Sequence, residues 1–183
     1  MSATIESIAL PTMLRGLTLL DGYLVAAQDL CERRKIDESS ILNAKLAPDM
    51  FPLVRQVQAA ADNAKNGVAR LAGVDAPRFP DTEGDFDALR ARVAATFEFL
   101  ESLPREYLAV AGERSIDQSF RGVRKTMPGA AYLLGVLVPN FYFHVFMVYG
   151  ILLTHGAAVP PPPSSQVMDA VYARFEAIHT GGS

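Results

Sequence analysis

The sequence predicts an all-α protein: a four-helix bundle with an extra C-terminal helix and a small hairpin or extended stretch before the last bundle helix. Two observations carry this prediction. Apolar residues recur at helical spacing in four long segments, and glycine and proline residues separate those segments. The chain has 183 residues, half of them apolar and a fifth charged, which is ordinary usage for one globular domain with a substantial core.

The first bundle helix is predicted to start at Pro11 or Thr12 and to end near Arg34. Proline suits the first turn of a helix, where its missing amide hydrogen costs no hydrogen bond. The apolar stripe of this helix consists of Leu14, Leu17, Leu24 and Cys31. Residues 4–10 are expected to form a separate short turn of helix, and residues 37–40 a polar connection.

The second helix is predicted to begin at a cap by Asp49 and to end at Gly73. Its apolar stripe consists of Val54, Val57, Ala61, Ala64, Val68 and Leu71. Asp85 is predicted to cap the third helix, which ends before Pro104. The stripe of that helix consists of Phe86, Leu89, Val93, Phe97 and Leu100.

Between Gly112 and Met127 the helical period fails, so this stretch is either extended or a small hairpin. The fourth helix is predicted from Asn140 to His155. Beyond the prolines at 160–163, Ser164 or Ser165 is expected to cap an amphipathic helix with a stripe of Val167, Val171, Phe175 and Ile178. The predicted units are therefore a helical bundle, residues 1–156, and a Pro-rich linker with a C-terminal helix, residues 157–183.

The span from Thr126 to Met168 contains no Asp, Glu, Lys or Arg. Within it, Leu133 to Leu153 is long enough to cross a membrane by the usual measure of about 20 residues. The Pro139-Asn140 pair, however, is typical of a helix start after a loop, which leaves a helix that is short for a span. Because no second span accompanies it, we predict a soluble protein and no membrane partner.

Composition also argues against several other classes of protein. A net charge of −3 gives no basic surface for nucleic acid. Cys31 is the single cysteine, which excludes an internal disulfide and any multi-cysteine metal site. The first sixteen residues include Glu6 and lack the basic start and unbroken apolar core of a signal peptide. We therefore expect a cytoplasmic location.

Two strings in the sequence are specific enough to indicate a family. LAPDMFPLVRQVQAAADNA at Leu46 to Ala64, followed by PNFYFHVFMVYGILL at Pro139 to Leu153, resembles the bacterial domain-of-unknown-function family numbered nineteen ninety-three. That family is similar to the four-helix-bundle proteins of the DinB/YfiT type, a group that includes metalloenzymes. The resemblance implies a DinB-like bundle over roughly residues 5–156 and, by analogy, a homodimer. The polyproline and last helix depart from the family pattern.

The resemblance also raises the question of a metal. DinB-like metalloenzymes hold a divalent ion with three histidines, two of them one helical turn apart. Here the positions one turn from His144 are Asn140 and Val148, and His155 lies about 16 Å further along the helix. A metal would need unusual partners such as Gln58 and Asp62. We therefore expect no metal and no cofactor, and the sequence assigns no catalytic residue.

His144 is the polar centre of an otherwise apolar helix, and two interpretations of it remain open. As a core residue, it needs a hydrogen-bond partner across the bundle, for which Gln58 and Asp62 are the candidates. The leading functional hypothesis adds a cavity that binds a small ligand, lined also by Tyr142, Tyr149, Met50 and Phe51. The alternatives are a metal-dependent transferase or hydrolase, implied by the resemblance, and a structural or interaction module that acts through dimerisation.

Overall fold

The computed structural model describes residues 4–120 and 122–159. Four long helices form the bundle: α1 (Ile5–Arg34), α3 (Leu53–Ala72), α4 (Phe86–Ser102) and α7 (Val138–Thr154). Short helices lie between them: α2 (Glu38–Leu42), α5 (Glu106–Ala109) and α6 (Gly129–Tyr132). Strands β1 (Ser115–Phe120) and β2 (Val123–Pro128) form an antiparallel hairpin. The predicted all-α bundle with a small hairpin is confirmed, and the predicted C-terminal helix lies outside the described residues.

The four long helices surround one apolar core. Both α1 and α3 pack chiefly against α4 and α7, so α4 and α7 lie on opposite sides of the bundle. Large side chains from three of the helices, Tyr23, Phe86 and Phe141, are fully buried in the core. As a result, α7 packs against α1 and α3 with one side and turns its other side away from the bundle.

Helix α1 begins earlier than predicted, and the prediction of a separate turn of helix at residues 4–10 was wrong. Thr4 and Ser7 form a reciprocal capping box that starts the helix at Ile5. Pro11 lies inside the continuous helix and is exposed. A proline at this position forgoes one hydrogen bond to Ser7, and the exposed carbonyl can be solvated instead.

The predicted ends of α3 and α4 are confirmed, but the predicted start of α3 was wrong. Pro52, and not Asp49, precedes α3, because residues 43–52 form turns that end with the Leu53 amide donating to the Ala44 carbonyl. Gly73 ends α3 in a left-handed conformation with φ 72°, as expected. Asp85 caps α4 by accepting a hydrogen bond from the Ala88 amide.

The prediction that Pro139-Asn140 starts a helix after a loop was wrong. The backbone is already helical from Gly129, and Leu133–Leu137 forms a π-helical turn between α6 and α7. In that turn the Val138 amide donates to the Leu133 carbonyl, five residues back. The wider turn explains how Pro139 is accommodated without breaking the helix.

Asp37 also caps the short helix α2 within the predicted polar connection.

The prediction that no second stretch is suited to a membrane span was wrong, because two helical stretches are long and apolar enough by length and composition alone: Ile5–Arg34 and Gly129–Thr154. The core helix of a soluble bundle passes the same test. In this protein both stretches pack on other helices through fully buried side chains, among them Leu17, Leu20, Phe141 and Val145.

Candidate functional site

His144 lies at the contact between α7 and α3. It is a buried residue, with 8% of its surface exposed, and its Nδ1 atom lies 2.7 Å from Oε1 of Gln56. Gln56 is itself 1% exposed. Because both side chains are buried, this hydrogen bond holds the imidazole ring in one orientation.

The hydrogen bonds of Gln56 determine which ring nitrogen of His144 carries the proton. The Gln56 Nε2 group donates to the Phe51 carbonyl at 3.3 Å, so Oε1 is the end that faces His144. An amide oxygen only accepts, and Nδ1 must therefore be the donor. Burial lowers the pKa of His144, so the ring is neutral at pH 7 and Nε2 has a free lone pair.

Two phenylalanines flank the imidazole ring of His144. The Phe51 ring stacks on His144 with a centroid distance of 6.4 Å, and Phe143 meets it edge to face at 5.2 Å. Both phenylalanines are about half exposed, at 51% and 48%. Among the described residues, no hydrogen bond is formed by Nε2 of His144. The buried side-chain atoms without a hydrogen-bond partner there are Tyr23 Oη, Arg92 Nε and Arg114 Nε.

An apolar groove of about 930 Å³ lies between the hairpin and the start of α7 and extends to Phe143, the residue before His144 in the sequence. Phe143 belongs both to the groove and to the surroundings of His144. Asn140, one helical turn before His144, also lines the groove. The other lining residues are Gln118, Val123, Lys125, Met127, Gly135, Val136 and Pro139.

The predicted hydrogen-bond partners of His144 were wrong. Gln58 bonds to Glu83 and accepts from Arg55, and Asp62 pairs with Arg92 and Lys65. The reason is helical geometry: Gln58 is about 200° around α3 from Gln56, so it faces the α3–α4 loop and not α7. Asp62 lies one turn after Gln58 on that same face.

The predicted tyrosines also belong to a different contact. The Tyr142 hydroxyl donates to the Thr12 carbonyl at 3.1 Å, and the Tyr149 ring lies 5.4 Å from that of Tyr23. Both tyrosines therefore face α1, whereas His144 faces α3. Met50 is half-buried in the turn that precedes Phe51.

An ionic cluster that the sequence patterns did not predict lies beneath the α3–α4 loop. The Arg92 guanidinium is buried and pairs with Asp62, Asp81 and Glu83 at distances of 2.7 to 3.0 Å. It also donates to the Pro80 carbonyl, and Lys65 donates to the Pro77 carbonyl. These bonds hold the loop against the bundle. The sequence feature that could have indicated them is Arg92, a charged residue on the apolar side of α4.

Hydrogen bonds from arginine lower the pKa values of two carboxyl groups in this cluster. The bond from Arg55, helped by Arg92, holds the pKa of Asp81 below its usual range. Burial works to raise the pKa of Glu83, but the bonds from Arg92 and Gln58 outweigh it and the pKa is lowered. Asp81 and Glu83 are thus ionised at neutral pH and hydrogen-bonded to protein donors, which is typical of a structural cluster.

The family model for a domain of unknown function, DUF1993, matches residues 6–160. The chain belongs to the DUF1993 family. It is also similar to a DinB family member protein from Shewanella denitrificans, known from a crystal structure. The two are 36% identical and superpose with a TM-score of 0.77, over 82% of this chain and 85% of the other. A comparison with curated proteins finds no match.

The residues of this DUF1993 protein do not fit a three-histidine metal site. Asn140, one turn before His144, donates its amide to Asn63 at 2.7 Å, and the residue one turn after is Val148. His155 Nδ1 lies 2.8 Å from the Ile151 carbonyl of its own helix. Across residues 4–120 and 122–159, no three His, Cys, Asp or Glu side chains come together in a metal-binding arrangement.

Proposed function

We propose that this DUF1993 protein binds a small, partly apolar molecule that donates a hydrogen bond to Nε2 of His144. One observation carries the proposal: a neutral imidazole whose Nδ1 is committed to Gln56 lies beside the half-exposed rings of Phe51 and Phe143. Because Nε2 can only accept, the ligand group that meets it is a hydroxyl, an amine or an amide N–H.

The apolar part of the ligand is accommodated by the aromatic rings and the adjoining groove. Phe143 connects the two, and the groove volume of about 930 Å³ is within the usual range for small-molecule sites. The buried bond to Gln56 sets the imidazole before the ligand arrives, which reduces the ordering cost of binding. Specificity for a donor follows, because an apolar analogue leaves the Nε2 lone pair desolvated and unpaired.

A thermal-shift screen of paired compounds tests the proposal. Each pair consists of an alcohol, phenol or amide and the analogue in which a methyl group replaces the donor. Wild type is compared with His144→Asn, which keeps a donor near the Nδ1 position for Gln56 but has no Nε2, and with His144→Ala. Donor compounds should raise the melting temperature of wild type alone. If no compound shifts the wild type selectively, or if both members of each pair shift it equally, the proposal fails.

The second candidate is a metal-dependent transferase or hydrolase of the DinB type. One observation favours it: metal-ligating histidines usually donate their other ring N–H to a carbonyl or carboxylate, as His144 does to Gln56. Against it, Asp62 and Gln58 are occupied by the ionic cluster. Elemental analysis of untagged protein purified without chelator decides, since usable sites bind tightly. Less than about a tenth of an equivalent of zinc, nickel, iron or manganese, unchanged after soaking, removes this candidate.

A further inference from the structure

The hairpin has two chemically different faces. Residues directly opposite each other on the two strands share a face, and successive residues alternate between faces. Gln118 and Lys125 therefore belong to one face, and the pair Asp117 and Thr126 belongs to the other. Asp117 is the acidic residue of these strands, and it bonds on its own face to Thr126 at 2.6 Å and to Arg124. The positive charge of Arg124 is thus neutralised there.

Lys125 lies on the face of the hairpin that lines the groove beside α7. Among the described residues that line the groove, it is the one with a charged side chain. The opposite wall comes from a stretch, Thr126 to Met168, that contains no charged residue. Across residues 4–120 and 122–159, no carboxylate forms a salt bridge with Lys125. The groove therefore has apolar walls and one positive charge that no carboxylate of these residues neutralises.

A second cation lies behind the same wall of the groove. Arg70 donates to Oε1 of Gln118 and to the hydroxyl of Tyr132, both at 2.8 Å. Gln118 pairs directly with Lys125 across the strands and also lines the groove. Because both partners of Arg70 are neutral, they leave its charge in place, and the two cations together make the electrostatic potential positive at this end of the groove.

We propose that the groove binds a small molecule that has an apolar chain and a carboxylate, and that the carboxylate pairs with Lys125. The inference deepens the proposed function and rests on it, because it takes the groove as the place of the ligand's apolar part. Lysine is a compact unit charge, which suits a singly charged carboxylate, whereas phosphate groups are commonly held by the bidentate fork of arginine. The apolar chain would contact Val123, Met127, Val136 and Phe143.

The α7 side of the groove offers a position where its volume can be reduced. Gly135 lies in the π-helical turn and lines the groove, and a Cβ added there would meet no atom within 4 Å. A larger side chain at this position therefore occupies groove volume without pressing on the bundle. Gly84 is a matched control in the α3–α4 loop, since a Cβ there also meets nothing within 4 Å.

An NMR titration of the full-length protein with three probes of equal chain length tests the proposal: octanoate, methyl octanoate and octylammonium. Octanoate and its ester carry no hydrogen-bond donor, so their binding does not require Nε2 of His144. Wild type should bind octanoate about fivefold more tightly than the ester, as expected for a solvent-exposed ion pair, and added salt should reduce the difference. Lys125→Glu should instead prefer octylammonium to octanoate.

Two matched pairs of variants locate the bound carboxylate. Lys125→Met should bind octanoate and its ester equally, whereas Arg124→Met, which removes the same charge from the other face of the hairpin, should behave as wild type does. Gly135→Leu should weaken both probes about tenfold, because it displaces about two buried methylene groups of the chain. Gly84→Leu should bind both probes as wild type does.

The proposal is overturned if wild type binds octanoate and the ester equally, or binds neither below the concentration at which they form micelles. Equal losses in Lys125→Met and Arg124→Met would indicate attraction to the net charge of the hairpin, and unchanged binding by Gly135→Leu would place the probe outside the groove. Either result also overturns it.

His144→Asn separates this proposal from the proposed function. The variant should bind octanoate as wild type does, because a carboxylate has no donor for Nε2. If the screen of paired donor compounds fails while octanoate binding still depends on Lys125, the donor contact at His144 is wrong and the carboxylate site stands. If donor compounds act through His144 while Lys125→Met changes nothing, the carboxylate site alone is wrong.

Discussion

The Nδ1 atom of His144 lies 2.7 Å from Oε1 of Gln56, and this pair is one of three successive contacts that α3 makes with α7 and the π-helical turn before it. Asn140 donates to Asn63 at 2.7 Å one turn away. Next to it, Leu137 packs so closely on Gly67 that a Cβ there would lie 2.2 Å from its Cδ1. The two helices are antiparallel, and their polar side chains pair in register inside an otherwise apolar contact.

Replacing Gln56, which accepts the hydrogen bond from Nδ1, should allow His144 to populate both neutral tautomers. Gln56→Leu leaves Nδ1–H without a partner in a buried position, so we expect the free energy of unfolding to fall by about 1–3 kcal/mol. Nitrogen NMR of the imidazole should show a mixture of the two tautomers in place of the Nδ1–H form. Gln58→Leu is the matched control, since its side chain bonds to Arg55 and Glu83. A pure Nδ1–H form in Gln56→Leu contradicts the assignment.

His144 should make the protein sensitive to mild acid. Burial lowers its pKa from the ordinary value of 6.5, so the unfolded chain binds a proton at this residue at a higher pH than the folded chain does. Stability is therefore lost as the pH falls below about 6.5 toward the folded pKa. Urea unfolding of wild type and His144→Asn between about pH 7 and pH 5 measures this. Parallel losses in both proteins would assign the effect to other groups.

Two arginines on α4 should differ widely in their contribution to stability. Arg92→Ala removes a buried guanidinium that pairs with Asp62, Asp81 and Glu83, so we expect a loss of about 3–5 kcal/mol. Arg90→Ala removes a pair with Asp21 in which both side chains are more than a third exposed, and the expected loss is about 0–1 kcal/mol. Equal losses by chemical denaturation would show that the cluster around Arg92 is not structural.

Close approach of α7 to α1 should make Gly16 intolerant of a side chain. A Cβ at Gly16 would lie 2.2 Å from Cε1 of Phe141, a fully buried ring. Gly16→Ala is expected to cost about 1–3 kcal/mol through overpacking. A Cβ at Gly135 meets nothing within 4 Å, so Gly135→Ala should change stability by no more than about 0.5 kcal/mol. Calorimetric melting of both variants checks the contrast, and a neutral Gly16→Ala refutes it.

Local patterns were sufficient for the helices whose ends are marked by strong capping residues. Asp85 and Gly73 end their helices as predicted, because a carboxylate that accepts a backbone amide and a glycine in the left-handed conformation act within one turn. Pro11 and Pro139 were misinterpreted as helix starts. A capping box at Thr4 and a π-helical turn before Pro139 allow both prolines inside continuous helices.

The sequence by itself determined the bundle, its apolar stripes and the isolation of His144, because helical periodicity and the absence of neighbouring histidines are properties of one segment at a time. Only the tertiary structure decided that Gln56 and not Gln58 meets the imidazole, that the tyrosines face α1, and that Arg92 gathers three carboxylates. Those outcomes depend on how far one helix is rotated and shifted along its neighbour. That alignment follows from the packing of all four helices together.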